Sequence, residues 1–333
     1  MSALQEIIRK LPKAELHVHL EGTIEPEMLF RLAKRNRIAV PWDSPESLRN
    51  AYRFQNLSGF LDIYFKGCEV MRTAADFHDV TKAYLERAVA DNVRHAEVFL
   101  GPQSFLAKGI PLNDILSGIF AAIEEMKDRI SCYYLPSVLR TRTEREALNL
   151  LDRLAPWHDR IAGFGMGGAE RDNPPSGFSA YFSACKKAGF KTTVHAGEEG
   201  PASYVREALD ILHVDRIDHG NSAQTEPDLI DRLARSQTPL TMCPVSNLKL
   251  NVISDPAEHP LKRMLDAGVC VTVNSDDPGY FQAYVAENWR VCAGALHLSV
   301  GDIRKLAENS FQASFLPQAE KRKMMAEVAA LFA

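Results

Sequence analysis

Eight apolar, β-rich runs recur along the chain, at residues 15–20, 95–100, 132–139, 161–166, 192–195, 216–219, 239–244 and 269–274, and most end in polar residues or glycine. Between most of them, apolar residues return every three or four positions, as on a helix packed by one face; 201–212 and 226–236 are clear examples. Strand and helix in alternation imply parallel strands, because each crossover must carry the chain back before the next strand starts. Eight such units predict an α/β fold of the TIM (β/α)8 barrel type, a sheet closed on itself.

Residues 21–94 break that rhythm, being too many for one crossover helix. Their apolar spacing predicts helices over 25–36, 45–52, 57–70 and 74–91, with a turn at Pro41, Trp42, Asp43 and Ser44. The expectation is a single domain, 1–333, with a helical insertion after the first strand, on the side where barrel active sites lie. It can serve as a lid or pocket wall. Trp42, Phe60, Tyr64 and Phe65 fall at helical spacings within it and are expected to pack in a core.

Composition narrows the function classes. A chain of 333 residues, 46% hydrophobic and 25% charged, can bury a large core. A net charge of −4 offers no basic field to nucleic acid. No apolar run approaches the roughly 20 residues that cross a bilayer, and the first residues read as a short amphipathic helix rather than a cleavable leader. The six cysteines form no CxxC pair, which suits free thiols in a reducing compartment. A cytoplasmic enzyme is expected, without nucleic-acid or membrane partners; oligomeric state is not legible.

The chemistry gathers at strand ends. His17 and His19 flank Val18 at the end of the first run, and residues two apart on a strand share a face. His195 ends the fifth run, His219 the sixth, and Asp276 and Asp277 follow the eighth. In a barrel those ends converge, and a cation is the economical way to bury so many imidazoles and carboxylates. Three imidazole nitrogens and one carboxylate suit zinc, with iron or manganese as alternatives. Such a metal makes hydroxide available at neutral pH. His219 can then take or orient the proton of the water, Glu198 can protonate the leaving side, and Asp277 can accept a substrate N–H. The set describes metal-assisted hydrolysis or hydrolytic deamination.

Other motifs point elsewhere and are set aside. Gly163-Phe-Gly-Met-Gly-Gly satisfies G-x-G-x-x-G, but two prolines follow where a dinucleotide fold needs a helix. Its glycines are expected to let backbone amides approach a flat ligand. Cys243 reads as a core thiol, since no base accompanies it. HExxH, the P-loop and the H-x-E with P-C-x-x-C signature of other zinc deaminases are absent.

KAELHVHLEGT, TVHAGEEG, RIDHG and VNSDDP, in that order and with the long helical insertion after the first, resemble the adenosine/adenine deaminases of the amidohydrolase superfamily. The resemblance spans nearly the whole chain. It implies a zinc-dependent barrel with one metal per chain that hydrolyses a purine 6-amino group. His17, His19, His195 and Asp276 would be the ligands. Glu198 would protonate N1, His219 would act on the water, Asp277 would receive N7–H, and the backbone N–H of Gly168 would reach N3. Adenosine deaminases typically read HLDG where this chain has Leu20-Glu21-Gly22, and the longer Glu21 would intrude on the ribose site, so adenine is the expected substrate. GFGMGGAE and FLGPQ depart from the adenine-type pattern by losing polar groups, which keeps N6-substituted adenines second and adenosine third. An amidohydrolase with two bridged metals would carry a lysine on the fourth strand, and this strand has none. A purine-binding protein without catalysis would not need the full set of catalytic side chains.

Overall fold

The computed structural model describes residues 3–332. Its strands are β1 (Lys13–His19), β2 (Val93–Leu100), β3 (Ser131–Leu139), β4 (Gly163–Gly167), β5 (Lys191–Ala196), β6 (Arg216–His219), β7 (Leu240–Met242) and β8 (Val271–Val273). They form one sheet in sequence order with every neighbouring pair parallel. The ends of the sheet meet. Val18 bridges Asp276, His19 N donates to Asp276 O at 2.9 Å, and Asp276 N donates to His17 O at 3.0 Å. Asn274 Oδ1 adds to the seam by accepting from Leu16 N at 2.8 Å. The expected barrel is present.

Every strand but β6 differs from its predicted bounds by a residue or two at an end, and in β7 and β4 the local reason is visible. The seventh stops at Met242, because Pro244 opens the short helix Pro244–Lys249 and proline is pre-set for a helix's first turn. The fourth starts at Gly163, with Ile161 reduced to an isolated bridge to Tyr134.

The sequence reading of these runs as apolar until they end is corrected by the structure. On β1, Ala14, Leu16 and Val18 join the hydrophobic core, while Lys13, Glu15 and His17 alternate with them and are just as buried. The barrel interior is polar. Glu97 of β2 pairs with Arg216 of β6, and Asp218 accepts from Thr193 Oγ1 at 2.7 Å and Thr241 Oγ1 at 2.9 Å. Removing one partner of such a buried pair costs about 3–5 kcal/mol, so these contacts hold the strands in one register.

Before β1 runs α1 (Ala3–Lys10), and between β1 and β2 run α2 (Pro26–Asn36), α3 (Pro45–Ala51), α4 (Leu57–Cys68) and α5 (Ala74–Ala90). Each of the last three starts where its cap dictates. Ser44 and Ser47 form a capping box before α3, Asn56 Oδ1 accepts from Gly59 N at 2.9 Å before α4, and Thr73 pairs with Asp76 before α5. Asp76, fully buried, also pairs with Arg35 and accepts from Asn36 Nδ2 at 2.8 Å, tying α5 to the end of α2. Tyr84 of α5 donates to Glu15 at 2.7 Å, which anchors the insertion to the barrel. Among the described residues no helix is long and apolar enough to cross a membrane, and all six cysteines are free and buried.

Candidate active site

The strand-end residues singled out from the sequence converge at the C-terminal mouth of the barrel. The His17 ring centroid lies 5.5 Å from His19, 4.6 Å from His195 and 4.6 Å from His219. Asp276 Oδ1 lies 3.3 Å from His17 Nε2 and 3.4 Å from His19 Nε2. His219 and Asp276 both have φ 65°, a left-handed conformation that costs a non-glycine residue about 1–3 kcal/mol and clusters at functional sites. In His219 it has a visible use. Asp218 already points into the barrel, and the turn lets the next side chain reach the same site.

The donors suit a cation. His17 Nε2 is buried without a hydrogen-bond partner, and the Nε2 atoms of His19 and His195 face each other at 3.2 Å. The far sides of the rings are held. His17 Nδ1 lies 3.2 Å from Thr241 O, His195 Nδ1 lies 3.3 Å from Asp218 Oδ2, and Ser246 Oγ donates to Asp276 Oδ2 at 2.7 Å. Partners of this kind fix tautomer and orientation and leave Nε2 aimed at a shared point. Donor atoms of His17, His195, His219 and Asp276 lie within 4.8 Å of one another, as do those of His19, Asp276 and Asp277. All six groups are brought together, and distance alone does not separate His19 from His219 as a donor.

The residues expected to handle protons sit beside them. Glu198 is buried, and that burial, reinforced by the Asp276, Glu170 and Glu199 carboxylates, holds its carboxyl well above the usual range. His219 moves the other way, its imidazolium disfavoured first by burial and then by His17. Asp277 is raised by burial and by Asp276, and its Oδ1 is buried without a partner. Gly22 makes room for it, since a Cβ there would lie 1.9 Å from Asp277 Oδ1.

Glu21 and Gly168 line the same cavity as Asp277. Glu21 Oε1 accepts from Gly101 N at 2.8 Å, its Oε2 is buried and unpartnered, and burial pushes its carboxyl up to about 7. Gly168 has φ 97° at the end of β4, and a Cβ on Gly167 would press on the His195 ring at 3.3 Å. The glycine run therefore serves the cavity, with no helix following β4 directly. The roof is α4. Phe60, Tyr64 and Phe65, expected as core, line the cavity, while Trp42 packs against the core half-buried. A helix laid over the barrel mouth can do both with one face. Cys243 is buried, its thiol pushed well up by burial, as expected of a core residue.

None of Asp218, Ser246, Glu170 and Glu199 stands out from the sequence by its spacing. Glu199 turns inward, its side chain 8% exposed, and Oε1 accepts from Leu57 N at 3.4 Å at the start of α4. The only local signal was adjacency, since Asp218 stands in RIDHG and Glu170 ends GMGGAE.

Comparison with known proteins agrees with this geometry. A family model described as adenosine deaminase matches residues 12–331. An adenine deaminase of Rhodopseudomonas palustris is 49% identical over 330 residues, covering 98% of this chain and 96% of that protein. The crystal structure of an adenine deaminase from Arthrobacter aurescens superposes with a TM-score of 0.94 at 44% identity, covering 97% of this chain and 99% of the other. An amidohydrolase from Burkholderia ambifaria, solved with bound Zn, superposes at 0.92 with 28% identity, covering 100% of this chain and 93% of the other.

Proposed function

This chain belongs to the adenosine deaminase family, and we propose that it hydrolyses the 6-amino group of adenine, forming hypoxanthine and ammonia. The observation that carries the reading is the convergence of His17, His19, His195 and Asp276 with a buried acid and a buried base, Glu198 and His219, above a cavity walled by Glu21. A divalent cation held by His17, His19, His195 and Asp276, zinc in our reading with iron or manganese as alternatives, would act as a Lewis acid that makes water nucleophilic at neutral pH.

The chain's own residues divide the remaining work. Glu198, which burial keeps protonated, would deliver its proton to N1 of the purine and so draw electron density away from C6. His219, which burial keeps neutral, would accept a proton from the attacking water. Asp277 would receive N7–H, and the Gly168 amide would donate to N3. The apolar side chains of α4 would cover the base and exclude bulk water. Glu21 supports a free base over a nucleoside. Its Oε2 is unpartnered inside the cavity, and a ribose would have to displace a buried carboxyl.

The test is a substrate panel of adenine, N6-methyladenine, N6-isopentenyladenine and adenosine, read by the absorbance change of the purine, on protein whose metal content is measured by elemental analysis. Adenine should turn over fastest, with one metal per chain. Turnover of adenosine without adenine would overturn the substrate, and two tightly bound metals would overturn the site.

A further inference from the structure

Glu170 adds its charge to the surroundings of Glu198, and it is also fully buried and makes four hydrogen bonds to one short segment. It closes the glycine stretch after β4, and its carboxylate faces the loop that follows β5. Oε1 accepts from Gly197 N at 2.6 Å, and Oε2 accepts from Glu198 N at 2.9 Å, Glu199 N at 2.8 Å and Gly200 N at 2.8 Å. Four successive amides turned toward one anion form a concave nest. The glycines at either end permit it. Gly197 has φ 77°, and a Cβ on Gly200 would lie 2.6 Å from Glu170 Oε1. Buried Arg140 braces the same turn, its Nη1 donating to His195 O at 2.7 Å and its Nε to Asn173 O at 2.9 Å.

The segment held in this way carries Glu198, whose Oε2 stands 3.5 Å from His219 Nε2. A loop between two glycines would otherwise be free to rotate and carry that carboxyl off its target. We propose that Glu170 is a positioning residue: its carboxylate clamps the 197–200 backbone so that Glu198 meets the substrate in one orientation. The role requires a carboxylate of this length. The amide of glutamine would turn a donor toward N–H groups, and aspartate falls one methylene short. The proposal rests on Glu198 as the proton donor.

The experiment compares wild type, Glu170→Gln, Glu170→Asp, Glu198→Gln and the double Gln variant as metal-replete enzymes with adenine, alongside hydrogen exchange of the 197–200 amides. Displacing a reacting group by about 1 Å costs on the order of 10²-fold, so Glu170→Gln should lower kcat by about that factor. KM and metal content should stay close to wild type. In the Glu198→Gln background the same change should cost less than about twofold, because the group it positions is already disabled. In wild type the four amides should be protected from exchange although they lie in a loop, and in the variants they should exchange at least about tenfold faster. Additive losses in the double variant, or wild-type amides exchanging like an exposed loop, would overturn the proposal. Wild-type protein inert toward adenine would instead refute the proposed function, leaving the exchange data to decide the clamp. If Glu170→Gln does not fold, Glu170→Asp and the wild-type exchange carry the decision.

Discussion

Glu198 Oε2 lies 3.5 Å from Nε2 of His219, and burial drives the two groups in opposite directions, the carboxyl up and the imidazole down. An acid that keeps its proton beside a base that stays free of one is how a single site serves both proton transfers of a hydrolysis. Glu198→Gln keeps the shape and removes the transferable proton. Its kcat for adenine should fall roughly 10²–10⁴-fold while metal content is unchanged. Activity within a few-fold of wild type would remove Glu198 from the proton-donor role.

Glu21 Oε1 is fixed by Gly101 N, which leaves Oε2 for the cavity. Glu21→Asp withdraws the carboxyl by one methylene and breaks that arrangement. A hydrogen bond to a charged group contributes about 1.5–3 kcal/mol, so kcat/KM for adenine should drop roughly tenfold to a hundredfold. The space released should raise the adenosine-to-adenine ratio of kcat/KM. Measuring both substrates on both proteins decides it, and an unchanged ratio would show that Glu21 does not set specificity.

Lys13, fully buried at the start of β1, donates Nζ to Asp91 O at 2.6 Å, and burial pushes its ammonium down to about 7 despite the nearby Asp91 and Glu15 carboxyls. From there up to its ordinary value of 10.5, the unfolded chain holds a proton that the folded chain has released. Stability owed to this residue therefore rises with pH across that window, by about 1.4 kcal/mol per unit at most, and its cost is complete below pH 7. Lys13→Met lacks this slope. Relative to wild type, the variant should be at its most stable at pH 7 and should lose ground toward pH 9 in denaturant unfolding. Parallel curves for the two proteins would contradict a depressed lysine.

Much of the barrel is legible because period two and period 3.6 are local properties of a chain. The eight runs, the helices of the insertion, and the placing of His17 and His19 on one strand face all follow from spacings of a few residues. The order of the strand-end motifs likewise points to the family without reference to any contact. Short spacings could not report which polar residues line the barrel, since a strand buried on both faces hides Lys13, Glu15 and Arg216 among apolar neighbours.

What only the tertiary structure decided are contacts between segments that share no period. Glu21 meets Gly101 across 80 positions, Asp218 stands behind His195 from the next strand, and Ser246 holds Asp276. The left-handed turns at His219 and Asp276 belong with these, because a strained φ persists only where surrounding packing enforces it. The sequence alone determined which titratable groups stand at the strand ends. The tertiary structure decided how they are held, because pairing of β4 with β5 brings the loops after them together and closure of the sheet sets the last strand against the first.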